Sequence, residues 1–182
     1  MANFNVPTRE EVSEKNQQIF DVLKGKVGFV PNLYASFTAS EGALGDYLDF
    51  NGRKTSLNNK EKEVINLVVS EVNGCTYCKA AHTAIAKMNG FTDEQILEIR
   101  SGRASFDAKL DALAQYVQNA TINRSKPDVE VVDAFLSAGY NEENLVDTIL
   151  LIGDKTITNF LYGSLQFPVD FPLAPELEEV IA

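Results

Sequence analysis

The sequence predicts an all-α protein, a compact bundle of helices, on three observations. Helix start and stop signals recur along all 182 residues. The apolar/polar alternation of half-buried strands is nearly absent, whereas apolar residues recur at three- and four-residue spacing. The connectors between the helical stretches are short, as they are where helices pack antiparallel.

Taken in order, Thr8 and Glu11 form a capping-box pair, which predicts a first helix ending at Gly25. Residues 28–31 read as a connector. Residues 32–54 read as one helix or two short ones, with Ser40 a candidate cap between them. Asn58 and Glu61 cap a helix over residues 60–72, and Asn73-Gly74 is a turn signal. A helix over residues 75–89 follows and stops at Gly90. Thr92 and Gln95 open a short helix that ends near Gly102. Residues 107–123 keep Leu110, Leu113, Ala114 and Val117 on one face. Pro127 leads a helix over residues 128–138, closed by Gly139. Asn141 starts a long last helix. The tail from Gln166 carries Pro168, Pro172 and Pro175, so it is expected to be extended and on the surface. No linker suggests a second domain, and the chain reads as one domain over residues 1–182.

Composition narrows the function. The formal charge is −10, and the sequence pI is about 4.6. An acidic surface repels phosphate backbones, so no nucleic-acid partner is expected. The N-terminal residues lack a basic stretch followed by an apolar run, so no secretory leader is expected and the cytoplasm is the expected compartment. The most apolar long stretch, residues 145–165, is interrupted by Asp147, Asp154 and Lys155. It reads as a buried helix, and no membrane span is expected. No Gly-rich phosphate loop or dinucleotide fingerprint is visible, so no cofactor is expected.

The chain has two cysteines, Cys75 and Cys78, and one histidine, His82. Two cysteines three apart do not make a secreted disulfide framework; they point to redox chemistry or metal binding. At 100° per residue, Cys75, Cys78 and His82 fall within roughly 60° of one another on a helix. The apolar stripe of that helix is Tyr77, Ala80, Ala81, Ala84, Ile85 and Met88. Thr76, Lys79, Thr83 and Lys87 face the other way, toward water. The reactive groups are therefore expected at a partly exposed boundary, as a reactive thiol requires. The helix N-terminus favours thiolate, and His82, four residues after Cys78, is placed to take its proton directly or through one water. Sulfurs at i and i+3 reach each other if the first turn adjusts, so one attacks and the other resolves. Structural zinc sites usually draw four ligands from two segments, so three on consecutive turns of one helix argue against a metal. Two buried cysteines and a satisfied core histidine are the purely structural alternative.

The preceding helix offers two carboxylates, Glu63 and Glu71. Its apolar residues Val64, Ile65, Leu67, Val68, Val69 and Val72 span about 200° of the wheel. Glu71 lies inside that arc and Glu63 at its edge, so the pattern alone selects Glu71 as the partly buried acid.

Glu63, eleven residues, Cys75-x-x-Cys78, three residues and His82 together resemble the signature of the alkylhydroperoxidase D (AhpD)-like and carboxymuconolactone decarboxylase-like superfamily. The flanks agree, as do the segments over residues 153–159 and 168–170, which are similar to its peroxidase-related branch. The resemblance covers about residues 29–172, the expected core, and the Pro-rich tail over about residues 166–182 is expected to form an arm that overlaps its end. It implies an all-helical subunit of AhpD-like type, assembled as a homo-oligomer of three or six copies. It implies a thiol-dependent peroxidase that reduces organic hydroperoxides through a disulfide cycle. Cys78 would be the attacking thiol, Cys75 the resolving one, and His82 and Glu63 members of a proton relay. On this point the resemblance selects Glu63 over Glu71. Electrons would come from an external dithiol, a lipoylated carrier in one branch of the family. This chain has Tyr77 where some family peroxidases carry a second histidine. Members that decarboxylate a lactone typically lack the cysteine pair, which argues against that reaction here. A protein disulfide reductase and a non-catalytic redox sensor are the alternatives.

Overall fold

A computed structural model describes residues 4–124 and 126–177 of the chain. Every regular element among them is helical, so the fold class is all-α, as expected. The chain folds into two compact units. One comprises residues up to Lys54 together with Phe160–Asp170, and the other Thr55–Asn159 together with the residues from Phe171.

The first unit opens with a 3-10 turn, Arg9–Glu11, and helix α1, Glu14–Val27. The Thr8–Glu11 capping box is present, but it caps only that turn. The helix proper is capped by Ser13, whose hydroxyl accepts from Asn16 N. It also runs past Gly25 to Gly28, whose φ of 92° supplies the left-handed C-cap. A glycine inside a helix is tolerated at modest cost, so Gly25 was the weaker stop signal. Helices α2, Asn32–Phe37, and α3, Ala43–Asn51, are two short helices, and Gly42 rather than Ser40 precedes α3. Phe20, Ala35, Phe37, Leu44 and Tyr47 form this unit's core, with Phe37 stacked on Tyr47 at 4.5 Å.

The second unit is built around α4, Asn59–Val72. Asn58 and Glu61 cap it reciprocally: Asn58 Oδ1 accepts from Glu61 N, and Glu61 Oε2 accepts from Asn58 N. Nine of its fourteen residues are buried, so it is covered on nearly all sides. Gly74, with φ of 63°, makes the tight reversal into α5, Thr76–Met88. Only a residue free of a Cβ takes that conformation without strain, and the reversal sets Cys75 at the mouth of α5. Helices α6, Asp93–Arg100, α7, Ala108–Ile122, and α8, Val129–Ser137, follow. Helix α9, Glu142–Leu165, is the long last helix, and its residues to Asn159 belong to this unit. The core joins Val64, Ile65, Leu67 and Val68 of α4 to Leu113 and Val117 of α7 and Phe135 of α8. Phe135 is fully buried, stacked on Tyr140 at 4.3 Å and 5.0 Å from Tyr116. Phe135→Ala is expected to cost about 3–5 kcal/mol, read as a lower urea midpoint with an unchanged slope. A loss under about 1 kcal/mol would place Phe135 outside the cooperative core.

Beyond α9, residues 166–176 carry no regular element, and the side chains of Gln166, Pro168 and Pro172 are exposed as expected. Phe167 departs from that pattern and is buried against Tyr162.

Candidate active site

Cys75 is the N-cap of α5, and its sulfur accepts the backbone N–H of Cys78 at 3.2 Å. This satisfies one of the orphan donors of the first turn and bathes the sulfur in the positive end of the helix. Cys75 and Cys78 are joined as a disulfide, with their Cα atoms 5.3 Å apart.

Both cysteines are buried, at 3% and 2% exposure, where the helical wheel placed them at a partly exposed boundary. The same wheel sent Lys79 and Thr83 toward water, and both are buried. The reason is tertiary. Thr158 of α9 lies against Cys78, Phe171 packs edge-on against Tyr77 at 5.7 Å, and Glu176 pairs with Lys79 at 3.0 Å. A wheel shows which residues share a face and not what covers that face. Met88, assigned to the apolar stripe, is in turn exposed at the end of α5.

His82 stands one turn beyond Cys78, and its Nδ1 lies 2.8 Å from Glu63 Oε2 on α4. The second oxygen of Glu63 accepts from Asn66 Nδ2 at 3.0 Å. Glu63 is therefore the carboxylate in contact with His82. Glu71, the wheel's choice, turns elsewhere: Arg100 Nε donates to it at 2.7 Å, and Lys79 Nζ lies 3.7 Å away. Its charge serves a buried cation. The wheel failed because α4 is buried almost all round, so position within its apolar arc does not rank the acids.

Electrostatics set the protonation of the pair. Burial pushes the His82 pKa below its ordinary value, and the buried ammonium of Lys155 pushes the same way, outweighing the opposing pull of Glu63. Burial alone would raise Glu63. The neighbouring His82, Asn66 and Lys155 outweigh it, so its carboxyl is held below the usual range. The favoured state is an anionic Glu63 accepting the Nδ1–H of a neutral His82. That leaves Nε2 as an unprotonated base.

Sequence reasoning missed the α9 wall. Asp154, Lys155 and Thr158 are buried there, and Asn159 Oδ1 accepts from Asn73 Nδ2 at 2.8 Å. The signal was available: two adjacent charged residues, Asp154 and Lys155, in an otherwise apolar helix mark a buried polar site rather than a mere interruption. Asn66 Oδ1, Ser70 Oγ and Asn159 Nδ2 are buried without a hydrogen-bond partner among the described residues. Among the described residues, no group of three or more His, Cys, Asp or Glu side chains is arranged to hold a metal ion. No described helix is long and apolar enough to cross a membrane.

Comparison with known proteins bears on this arrangement. Residues 41–118, which include Glu63, both cysteines and His82, match the model of the carboxymuconolactone decarboxylase family. The uncharacterized protein YdfG of Bacillus subtilis (strain 168) is 26% identical over 102 residues, 55% of this chain and 69% of YdfG. An uncharacterized peroxidase-related protein from Ralstonia eutropha JMP134, described as an alkylhydroperoxidase AhpD core, superposes with a TM-score of 0.83. It is 17% identical, over 92% of each chain. The debrominase Bmp8, in complex with 2,3,4-tribromopyrrole, superposes with a TM-score of 0.76 at 15% identity, over 93% of each chain. At these identities the structural likenesses establish the fold, and the fold by itself hosts more than one chemistry.

Proposed function

We propose that this chain, which belongs to the AhpD-like and carboxymuconolactone decarboxylase-like superfamily, reduces organic hydroperoxides through a Cys75–Cys78 dithiol–disulfide cycle. The observation that carries the proposal is the disulfide at the head of α5, one turn from the Glu63–His82 pair.

The chemistry balances as follows. The Cys78 thiolate attacks the terminal oxygen of ROOH, breaking the O–O bond and forming a sulfenic acid. The alkoxide leaves with a proton and becomes ROH. The proton is the one the Cys78 thiol gave up, held meanwhile on Nε2 of His82. His82, one turn beyond Cys78, makes the transfer directly or through one water. The Cys75 thiolate then attacks the Cys78 sulfur and expels hydroxide, which leaves as water with the Cys75 proton. An external dithiol reduces the disulfide by exchange and completes the turnover. A lipoylated carrier is the donor that family analogy offers.

Burial favours a small oxidant. A hydroperoxide, like the slim dithiol end of a lipoyl arm, needs only a narrow path to the sulfurs, whereas exchange with a disulfide held in a partner protein's own fold needs an exposed sulfur. The cysteine pair argues against lactone decarboxylation. Assembly into a homo-oligomer in the cytoplasm belongs to the same proposal. Val146, Ile149, Leu150 and Ile157 form an exposed apolar stripe on α9, which supports the assembly.

The test is titration of the reduced protein with tert-butyl hydroperoxide, counting free thiols, alongside Cys75→Ser and Cys78→Ser. Loss of both thiols in the parent and a trapped sulfenic acid in Cys75→Ser are expected. Sulfenic acid in Cys78→Ser alone would reverse the order of attack. Thiols that stay reduced under excess peroxide would end the peroxidase reading.

A further inference from the structure

The two sulfurs have different neighbours. Cys75 Sγ is served by a backbone N–H of its own helix. Cys78 Sγ lies 3.9 Å from Thr158 Oγ1 of α9, a side chain with no exposed surface. The Thr158 hydroxyl donates to Lys155 O at 2.8 Å, three residues back. The other threonines of α9, Thr148 and Thr156, bond the carbonyl four residues back, the common arrangement for a helical threonine. Thr158 alone among them is turned to the i−3 carbonyl, and it alone lies against a sulfur. A valine would fill the same buried space without a hydroxyl to desolvate.

A hydroxyl carries one hydrogen and two lone pairs. While the hydrogen points to Lys155 O, a lone pair is free to accept the S–H of a reduced, neutral Cys78. When that thiol ionises, rotation about the C–O bond turns the hydrogen to the thiolate. Giving up Lys155 O costs little, because a mid-helix carbonyl is already the acceptor for the N–H four residues ahead.

We propose that Thr158 is a positioning residue for Cys78: its hydroxyl accepts from the thiol and donates to the thiolate, which lowers the Cys78 pKa without affecting Cys75. This rests on the dithiol reading above and gives Cys78 its own activating partner. The other titratable and charged groups of the site described above are Glu63 and Glu71 on α4, Cys75, Lys79 and His82 on α5, Arg100 on α6, Asp154 and Lys155 on α9, and Glu176 of the tail. None of them is altered by a change at Thr158.

The experiment titrates thiolate formation by ultraviolet absorbance in the reduced protein. A Cys75→Ser background reports Cys78 alone, and a Cys78→Ser background reports Cys75 alone. A hydrogen bond to a charged group predicts that Thr158→Val raises the Cys78 pKa by about one to two units. Thr158→Ala must show the same rise, Thr158→Ser must restore the parent value, and the Cys75 pKa must not move. A Cys78 pKa unchanged in both hydroxyl-free variants, or an equal shift at both cysteines, would overturn the proposal. Failure of the peroxidase reading has a separate signature, since the pKa difference would persist in a protein whose thiols ignore peroxide.

Discussion

Removing the imidazole, as in His82→Ala, is expected to lower peroxide-dependent thiol oxidation by about 10²- to 10⁴-fold at neutral pH, the usual share of a positioned acid–base group. Glu63→Gln is expected to lower it less, because Glu63 acts through His82, and to move the pH profile. Burial and Lys155 hold His82 below its ordinary pKa, and Glu63 opposes them. Without the carboxylate charge that opposition disappears, so the acid limb of the rate profile moves to lower pH while the plateau falls. An acid limb that moved upward, or His82→Ala with parental rates, would remove His82 and Glu63 from the proton path. The same depressed His82 pKa makes a stability prediction. A histidine kept neutral by burial binds fewer protons folded than unfolded as pH falls below about 6.5, so stability declines in that window.

Glu71, two turns further along α4, is expected to matter for a different reason. The Arg100 side chain is fully buried, its Nε bonded to Glu71 and its Nη1 to Pro175 O, while Nη2 has no partner among the described residues. Glu71→Leu would leave that guanidinium uncompensated, at a cost of about 3–5 kcal/mol by urea unfolding. The double variant Glu71→Leu/Arg100→Leu should recover much of the loss, because apolar replacement of a whole buried pair is often close to neutral. Thiol oxidation per folded molecule should match the parent in both. A single variant that lost under about 1 kcal/mol, or that lost rate while folded, would contradict the structural role. On the expected outcome the two acids of one helix are separable by experiment: one shifts a pH profile and the other shifts a urea unfolding midpoint.

How much of this was legible in the chain differs by element. The reciprocal caps at Asn58–Glu61 and Thr92–Gln95 and the stop at Gly90 located α4, α5 and α6 to within a residue or two, because capping is local chemistry. The Thr8–Glu11 pair is the instructive miss. The box forms, but Ser13 offers a second cap five residues on, and local signals do not rank two competing starts. The cysteine pair and His82 were equally legible, since their spacing on one helix fixes their common face.

What only the tertiary structure decided is which carboxylate meets His82 and what closes over the sulfurs. Glu63 and Glu71 are eight residues apart on one helix, and their partners lie 19 and 29 residues further on, at His82 and Arg100. Thr158 is 80 residues from Cys78. No periodicity within a helix encodes contacts at that range. The sequence by itself determined an all-helical chain with its thiols and its one imidazole on a single helical face. The packing of α4, α5 and α9 decided the protonation of that imidazole and the burial of those thiols, because desolvation and charge pairing depend on what surrounds a group rather than on its neighbours in the chain.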